Sequence, residues 1–149
     1  MSAGKNIPPF EQSIAAIVLG TKEAVLAPMR PKLREYNITE PQWRVMRVIN
    51  DRGTTDATGL AEVGLLHAPS VTRILKELEE RRLVVRKTDP ADRRRAVVTL
   101  SPAGRAVVKE VATDVVRLIG VYGERFGVSR LEQLLEELKA LSAAIKGVE

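Results

Sequence analysis

Apolar residues recur every three or four positions along most of this 149-residue chain, a spacing typical of amphipathic helices. Two short runs rich in β-branched residues, 83–88 and 96–100, alternate instead with a period of two and predict a β-hairpin. The helical periodicity falls in six segments: 10–36, 39–53, 57–65, 69–78, 102–126 and 129–147. The chain is therefore expected to be mainly α with a small antiparallel β element.

Local signals mark where the first helices bend, begin and end. Pro28 and Pro31 are expected to kink or split the first segment, because each proline removes an amide donor and crowds the preceding turn. Thr39 followed by Gln42 is a capping-box signature for the second helix. Gly53 is expected to end that helix in a left-handed conformation.

The order of elements between residues 37 and 101 points to one arrangement. A helix is followed by a very short strand at Thr54 and Thr55, a brief helix, a turn, a helix whose first position is Pro69, and the hairpin. This is the order of a winged helix-turn-helix core, in which the hairpin is the wing and the helix before it reads DNA. The helix that begins near Pro69 is called the reading helix below.

Long apolar stripes occupy the segments outside that core, 10–36 and 102–147. Ser129 is expected to cap the last helix, in which leucines recur at the spacing of a coiled-coil seam. The two C-terminal helices either fold back as an intramolecular hairpin or pair with a second copy. A homodimer built from them and the N-terminal helix is the favoured reading. The chain is read as one domain, 1–149, with 37–101 as its DNA-binding core.

Positive charge is concentrated on one small feature. Between residues 81 and 95 seven basic residues outnumber two acidic ones, a net +5 that equals the net charge of the whole chain. The basic residues are Arg81, Arg82, Arg86, Lys87, Arg93, Arg94 and Arg95. Such a cluster at the tip and base of a hairpin indicates a polyanionic partner, and double-stranded DNA fits the predicted fold.

Composition excludes several other kinds of site. The chain has no cysteine and a single histidine, which excludes disulfides and cysteine-ligated zinc and leaves little for a histidine metal site or a catalytic triad. We therefore expect no cofactor, no metal and no enzymatic activity. Five aromatic residues are few for stacking single-stranded bases. No stretch approaches the roughly 18 apolar residues of a membrane-spanning helix, and no leader pattern is present, so a cytoplasmic protein is expected.

The wing and the segment after it resemble the MarR-type transcriptional regulators. The family pattern of Asp-x-Arg, then Val-x-Leu-Thr/Ser, then Gly is matched by Asp92, Arg94, Val98, Leu100, Ser101 and Gly104. A similarity to the homoprotocatechuate-degradation repressors of that family rests on 30–31, 37–44 and 69–75. The resemblance implies a homodimer that binds a pseudo-palindromic operator and, in that branch, responds to small phenolic acids. Arg82 departs from the family, which usually has glycine at the end of the reading helix.

The resemblance places DNA contacts on the reading helix. Ser70, Thr72 and Arg73 are expected near its N-terminus in the major groove, where an arginine can donate two hydrogen bonds to guanine. Lys76 lies further along and is expected to meet phosphate. The alternative is that these are ordinary solvated side chains, and the adjoining basic hairpin argues against it.

The wing supplies the other predicted DNA contacts. Arg94 matches the family's wing-tip arginine, which enters the minor groove. Asp92 is expected to pair with an arginine and fix the tip, whereas Arg93 and Arg95 are expected to contact phosphates. Arg86 completes the predicted set. The alternative is a hairpin that is merely solvated.

A ligand pocket is predicted where the N-terminal helix, the second helix and the DNA-binding part meet. Its candidate residues are Met29, Arg30, Tyr36, Trp43, Arg44, Met46 and His67. The tryptophan offers a flat face, the methionines a deformable wall, the tyrosine a hydroxyl, and either arginine a partner for a carboxylate. The histidine could relay occupancy to the reading helix. The alternative reading makes the tryptophan and methionines plain core and the arginines members of ion pairs.

The sequence thus predicts a DNA-binding transcriptional regulator, a repressor released by a small phenolic or aromatic carboxylic acid. The alternative is a winged-helix DNA-binding or architectural protein that responds to no effector. An enzyme is the third and least supported class, because no nucleophile with a base and no phosphate-binding glycine loop is present.

Overall fold

The computed structural model of the protein describes residues 6–149, which are mainly helical. Within them lie seven α-helices and two strands: α1 (Ile14–Leu26), α2 (Arg30–Glu35), α3 (Glu40–Arg52), α4 (Ala57–Val63), α5 (Ala68–Glu80), β1 (Val84–Thr88), β2 (Ala96–Leu100), α6 (Pro102–Phe126) and α7 (Val128–Ile145). Residues 1–5, where the one-domain prediction begins, lie outside the described range. The mainly α fold with a small antiparallel wing is confirmed.

Helices α1 and α2 come from the segment in which two prolines predicted a break. The break is confirmed, because α1 ends at Leu26 and a short 3-10 turn, Ala27–Met29, separates it from α2. Ser13 caps the start of α1, where its Oγ accepts a hydrogen bond from the Ala16 N–H at 3.1 Å. No side chain along α1 is buried.

The capping box predicted at the start of α3 is confirmed. The Gln42 N–H donates to Thr39 Oγ1 at 3.2 Å, and the Thr39 N–H donates to Gln42 Oε1 at 3.1 Å. Gly53 ends the helix with φ +74°, as predicted from the preference of glycine for positive φ. Trp43 and Met46 are buried on the inner face of α3.

The third strand predicted at Thr54 and Thr55 is reduced to one bridge. The Thr55 N–H donates to the Val98 carbonyl at 3.1 Å, and the Val98 N–H donates back to the Thr55 carbonyl at 2.7 Å. Helix α4 ends at Val63, two residues before the predicted end. Helix α5 begins at Ala68, so Pro69 takes its second position rather than its first, and the amide that proline lacks would have no helical partner at either place.

The wing is an antiparallel hairpin in register from Val84↔Leu100 to Thr88↔Ala96. Before it, Arg82 has φ +58°, a left-handed conformation that usually belongs to glycine. The Leu83 N–H reaches back to the Leu78 carbonyl at 2.9 Å, as in a helix end of the Schellman type. Arg82 therefore adopts the left-handed conformation at the position where the resemblance predicts glycine.

The start of α6 lies very close to the start of β1. The Ser101 N–H donates to the Leu83 carbonyl at 3.0 Å. A Cβ on Gly104 would lie 2.0 Å from the same carbonyl oxygen, so only glycine fits. This approach fixes the wing to the first turn of α6.

The core of the DNA-binding part lies between α3, α5 and the hairpin. Its fully buried side chains include Val45, Met46, Ile49, Leu60, Val71, Ile74, Leu75, Leu78 and Val98. Because Val71, Ile74, Leu75 and Leu78 share one face of α5, the opposite face of that helix is left at the surface.

The described chain divides into two compact units, one ending at Val111 and one comprising Ala112–Glu149. The second contains the end of α6 and all of α7. The capping prediction for Ser129 is wrong, because α7 begins at Val128 after Gly127, whose φ of +105° suits glycine alone. No side chain of α7 is buried. None of the helices among the described residues is long and apolar enough to cross a membrane.

Candidate DNA-binding surface

The outer face of α5 carries the predicted reading residues. Thr72, Arg73 and Lys76 are exposed and Ser70 is half-buried, since the opposite face of the helix is packed into the core. Thr72 Oγ1 donates to the Ala68 carbonyl at 3.2 Å, which is a bond within its own helix. Arg73 Nε lies 3.8 Å from Glu77 Oε1, and its side chain is 70% exposed. This face therefore presents a hydroxyl and two cations to solvent.

The tip of the wing is fixed by Asp92, although not in the way that was predicted. Its Oδ1 accepts a hydrogen bond from the Arg94 N–H at 3.0 Å, and its carbonyl accepts one from the Arg95 N–H at 3.0 Å. The prediction that Asp92 pairs with an arginine side chain is wrong, because the carboxylate binds backbone instead. Arg93 and Arg94 are left with exposed side chains at the tip.

Arg95 ties the base of the wing tip to α4. Its guanidinium forms an ion pair with Asp56, the residue that caps α4. Asp56 Oδ1 also accepts from the Gly59 N–H at 2.8 Å. This backbone hydrogen bond, with Arg95 as the second favourable influence, holds the pKa of the Asp56 carboxyl below its ordinary value. Asp56 was not among the predicted site residues, although its place before α4 marked it as a helix cap.

A cleft of about 250 Å³ opens between the reading helix and the wing. Four of the predicted DNA-binding residues line it: Thr72, Arg86, Arg94 and Arg95. Arg86 Nε lies 3.3 Å from Glu79 Oε2, so an acidic residue of α5 orients this cation. The tertiary structure thus brings α5 and the wing tip to one cationic surface.

The predicted ligand residues are not gathered in one pocket. Trp43 is only 3% exposed and Met29 and Met46 are buried, so the structure places these three in the core. Tyr36 is half-buried, with Lys32 Nζ 5.9 Å from its ring centre. His67 is exposed and precedes α5, and its side chain makes no capping hydrogen bond.

A separate cavity of about 480 Å³ lies at the junction of α2 and α3. Its lining residues are Arg30, Leu33, Arg34, Asn37, Ile38, Thr39 and Glu40. Of the seven residues predicted for a ligand, Arg30 alone lines it among those the structure describes. Sequence reasoning missed Arg34 and Glu40. The available signal was that Arg34 lies near the end of the first predicted segment and Glu40 in the first turn of the second, on either side of one short connection.

The two arginines proposed as carboxylate partners already contact carboxylates of the chain. Arg30 Nη2 lies 2.8 Å from Glu23 Oε2, and Nη1 binds the other oxygen. The mutual hydrogen bonds lower the pKa of Glu23 and raise the pKa of Arg30. Arg44 binds Glu40 with two nitrogens and also donates to the Gly64 carbonyl, so its guanidinium is directed towards the α4–α5 turn.

The sequence of this chain is similar to those of known transcriptional regulators. The sequence model described as MarR family matches residues 36–95. The HTH-type transcriptional regulator FarR of Neisseria gonorrhoeae is 33% identical over 143 residues, which cover 92% of this chain and 98% of FarR. The homoprotocatechuate degradative operon repressor of Escherichia coli is 30% identical over 135 residues, 89% of this chain and 91% of the repressor.

A solved structure with a bound ligand is similar over nearly the whole chain. NadR in complex with 4-hydroxyphenylacetate is 33% identical to this chain and has a TM-score of 0.76. The match covers 96% of this chain and 99% of NadR.

Proposed function

We propose, from the premise that this chain belongs to the MarR family, that it is a dimeric transcriptional repressor that releases its operator when a small phenolic or aromatic carboxylic acid binds. The observation that supports DNA binding is the cationic cleft that α5 and the wing share. We also propose that the protein acts in the cytoplasm and catalyses no reaction.

The geometry supports two kinds of DNA contact from each subunit. The exposed face of α5 fits the major groove, with Ser70, Thr72 and Arg73 at base edges. Lys76 fits a phosphate further along the helix. Arg94 at the wing tip fits the narrow minor groove beside it, and Arg93 fits the phosphates that flank it. Two copies in a dimer would place the reading helices about one helical turn apart on a pseudo-palindrome.

The cavity at the α2–α3 junction is our candidate for the effector site. Leu33 and Ile38 give it an apolar wall, and Arg34 gives it positive charge. Arg30 also lines it, with its guanidinium already paired with Glu23. A volume of about 480 Å³ is sufficient for a single aromatic ring with a carboxylate. NadR, a relative of similar length, binds 4-hydroxyphenylacetate, which has this chemistry.

Selection of a binding sequence tests the DNA-binding half of the proposal. Wild-type protein should enrich a two-fold symmetric sequence from a random duplex library. Contacts to about 6–10 phosphates by a dimer would weaken binding by about 10³- to 10⁵-fold between about 50 and 200 mM salt. Failure to enrich any sequence, or binding that salt does not weaken, would contradict it.

Mobility shifts with the selected duplex test the effector half. Titration with 4-hydroxyphenylacetate, protocatechuate-like acids and salicylate should release DNA for at least one compound, and a coupling of about 1–3 kcal/mol would be sufficient. Arg34→Gln should reduce the response without lowering DNA affinity in the absence of the compound. If no compound changes the affinity, the effector half is wrong.

An effector-independent regulator is the second candidate. The observation in its favour is the burial of Trp43 and Met46, which places both side chains in the core. The same titrations separate the two, because the second candidate requires DNA affinity that no aromatic acid changes.

A further inference from the structure

The turn that connects α4 to the reading helix has an unfavourable backbone conformation. Leu65 has φ +56°, in the left-handed region that non-glycine residues seldom adopt. Its side chain is 82% exposed, so burial of the leucine does not compensate for this conformation. The Leu66 N–H donates to the Ala61 carbonyl at 2.9 Å, which closes the end of α4. The stabilisation of Leu65 must therefore come largely from groups that bind its backbone.

Arg44, on the neighbouring helix α3, supplies such a group. Its Nη1 donates to the Gly64 carbonyl at 3.0 Å and to the Leu65 carbonyl at 3.2 Å. Carbonyls at the end of a helix have no helical partner and carry the negative end of the helix dipole, which makes a guanidinium a well-suited donor. These bonds hold the turn in the observed conformation.

Glu40 fixes the position of Arg44 in turn. Its two oxygens accept from Arg44 Nη2 at 2.7 Å and from Arg44 Nε at 3.1 Å, a paired geometry that fixes the plane of the guanidinium. Both side chains are more than two-thirds covered, at 27% and 20% exposed. Glu40 is the first residue of α3, next to the capping box, so the pair is built on a rigid element.

We infer that Arg44 is a positioning residue for DNA recognition, because it holds the left-handed turn at Leu65 from which the reading helix α5 departs. His67 occupies the position just before α5, two residues after Leu65, so the direction of α5 depends on the conformation of this turn. Arg44 would act through the turn and not through a contact with DNA. Lysine cannot replace it, because an ammonium is a point donor without the planar fork. The inference rests on the proposed function insofar as α5 is the element that reads DNA.

Sequence discrimination is the measurement that separates positioning from charge. Arg44→Gln should weaken binding to a duplex selected by the wild-type protein by about tenfold, since misplacement of α5 removes base contacts. Binding to a scrambled duplex of the same composition should change by less than about twofold, because phosphate contacts dominate there. Arg47→Gln is the control, since it removes the same charge from an exposed position on the same helix and should keep full discrimination.

Leu65→Gly supplies a rescue that a purely structural role would not show. Glycine adopts positive φ without a steric cost, so adding Leu65→Gly to Arg44→Gln should restore most of the lost discrimination. Arg44→Lys, which keeps the charge, should lose discrimination to an intermediate extent. Circular dichroism and thermal melting verify that each variant is folded, and Arg44→Lys serves as the test if Arg44→Gln does not fold.

Two outcomes would overturn the inference. One is a folded Arg44→Gln or Arg44→Lys variant that discriminates between the duplexes as well as the wild-type protein does. The other is a loss of discrimination that Leu65→Gly does not reduce. A wild-type protein that selects no sequence at all would instead contradict the proposed function, so the two failures are distinguishable.

Discussion

The arginines of the wing differ in what they contact, and this gives them different roles. Arg95 binds Asp56 and fastens the wing tip to α4, and Arg86 lies beside Glu79 of α5. Arg93 and Arg94 remain exposed at a tip that is held by backbone bonds to Asp92. The carboxylates thus orient Arg86 and Arg95, whose side chains stay partly exposed, whereas Arg93 and Arg94 are the cations that the wing tip presents to solvent.

Arg94→Ala should lower affinity for the selected duplex by at least about tenfold, because the exposed guanidinium at the wing tip would no longer enter the minor groove. Fluorescence anisotropy at fixed salt measures the change. Lys146→Ala, which removes one charge at the end of α7, should bind as the wild-type protein does. Equal affinity of the Arg94 variant and the wild-type protein would refute the minor-groove contact.

Asp56 should contribute to acid sensitivity of the fold. The pKa of Asp56 is lower in the folded protein than in the unfolded chain, so the unfolded chain binds the proton more tightly. The contribution of Asp56 to stability is therefore complete above the unfolded pKa, at about pH 4, and is lost as the pH falls through the lower pKa of the folded state. Asp56→Asn keeps a capping oxygen but does not titrate, so its loss of stability between about pH 5 and pH 3 should be smaller than that of the wild-type protein. Urea unfolding followed by Trp43 fluorescence, at one protein concentration, measures both.

Arg95→Gln is the matched variant for this measurement. The hydrogen bond from Gly59 is the largest cause of the lowered pKa and remains in that variant. Arg95→Gln should therefore keep most of the acid sensitivity. At neutral pH, loss of the partly exposed ion pair with Asp56 should lower the free energy of unfolding by no more than about 1 kcal/mol. Equal acid sensitivity in Asp56→Asn and the wild-type protein would show that Asp56 is not responsible.

Three connections between elements share one construction. α2, α4 and α5 each end near a non-glycine residue with positive φ: Asn37, Leu65 and Arg82. In each case a side chain from a distant part of the chain donates a hydrogen bond to at least one carbonyl there. Arg81 donates to the Tyr36 and Asn37 carbonyls, Arg44 to those of Gly64 and Leu65, and Ser101 Oγ to that of Arg82 at 2.7 Å. The helix ends are therefore stabilised by tertiary contacts rather than by glycine.

The junction of β1 and α6 does require glycine. Gly104→Ala would place a Cβ 2.0 Å from the Leu83 carbonyl oxygen, and relieving that overlap should cost about 1–3 kcal/mol of stability. Gly120→Ala is the control on the same helix, because no atom lies within 4 Å of its added Cβ, and it should stabilise the helix by about 0.5–1 kcal/mol. Thermal melting of both variants measures the difference, and a Gly104 variant as stable as the wild-type protein would contradict the close approach.

At the scale of the whole molecule, two helices leave their apolar side chains exposed or only partly covered. Neither α1 nor α7 buries a side chain, although both carry apolar residues at helical spacing. Exposed leucines on α7 include Leu134, Leu135, Leu138 and Leu141. Their exposure fits a second copy as the partner, as expected of a MarR-family dimer.

Leu138→Glu should therefore weaken dimerisation without unfolding the subunit, because it places a charge on the apolar seam of α7. Sedimentation at micromolar concentration should show a shift towards monomer, with a parallel loss of duplex affinity. Lys139→Glu is the control, since it places the same carboxylate one residue away from the seam. A Leu138→Glu protein that remains fully dimeric would exclude α7 from the interface.

The sequence predicted the elements well where the deciding interactions are local. The capping box at Thr39, the stop at Gly53 and the break at Pro28 and Pro31 are each decided within one or two helical turns, and each is confirmed. The hairpin also follows from a local alternation of residues. The prediction that Ser129 caps α7 is wrong, because Gly127 takes the cap position two residues earlier.

The candidate site was less predictable because its contacts join residues far apart in the chain. Trp43 sits in the core rather than on a pocket wall, and only the packing of α3 against other elements decides which side it takes. Arg44 was read as a ligand partner, whereas the fold places it against the α4–α5 turn. The cavity beside Arg30 and Glu40 likewise arises from the way α2 meets α3.

By itself, then, the sequence determined the order of the helices and several of their limits, the wing and the concentration of positive charge, because periodicity, capping and composition act over short stretches of chain. The tertiary structure decided which cations are paired and which remain exposed, since a guanidinium binds whichever carboxylate or carbonyl the packing brings within about 3 Å. Asp56 reached Arg95, and Arg44 reached Leu65, only through the folding of distant segments onto one core.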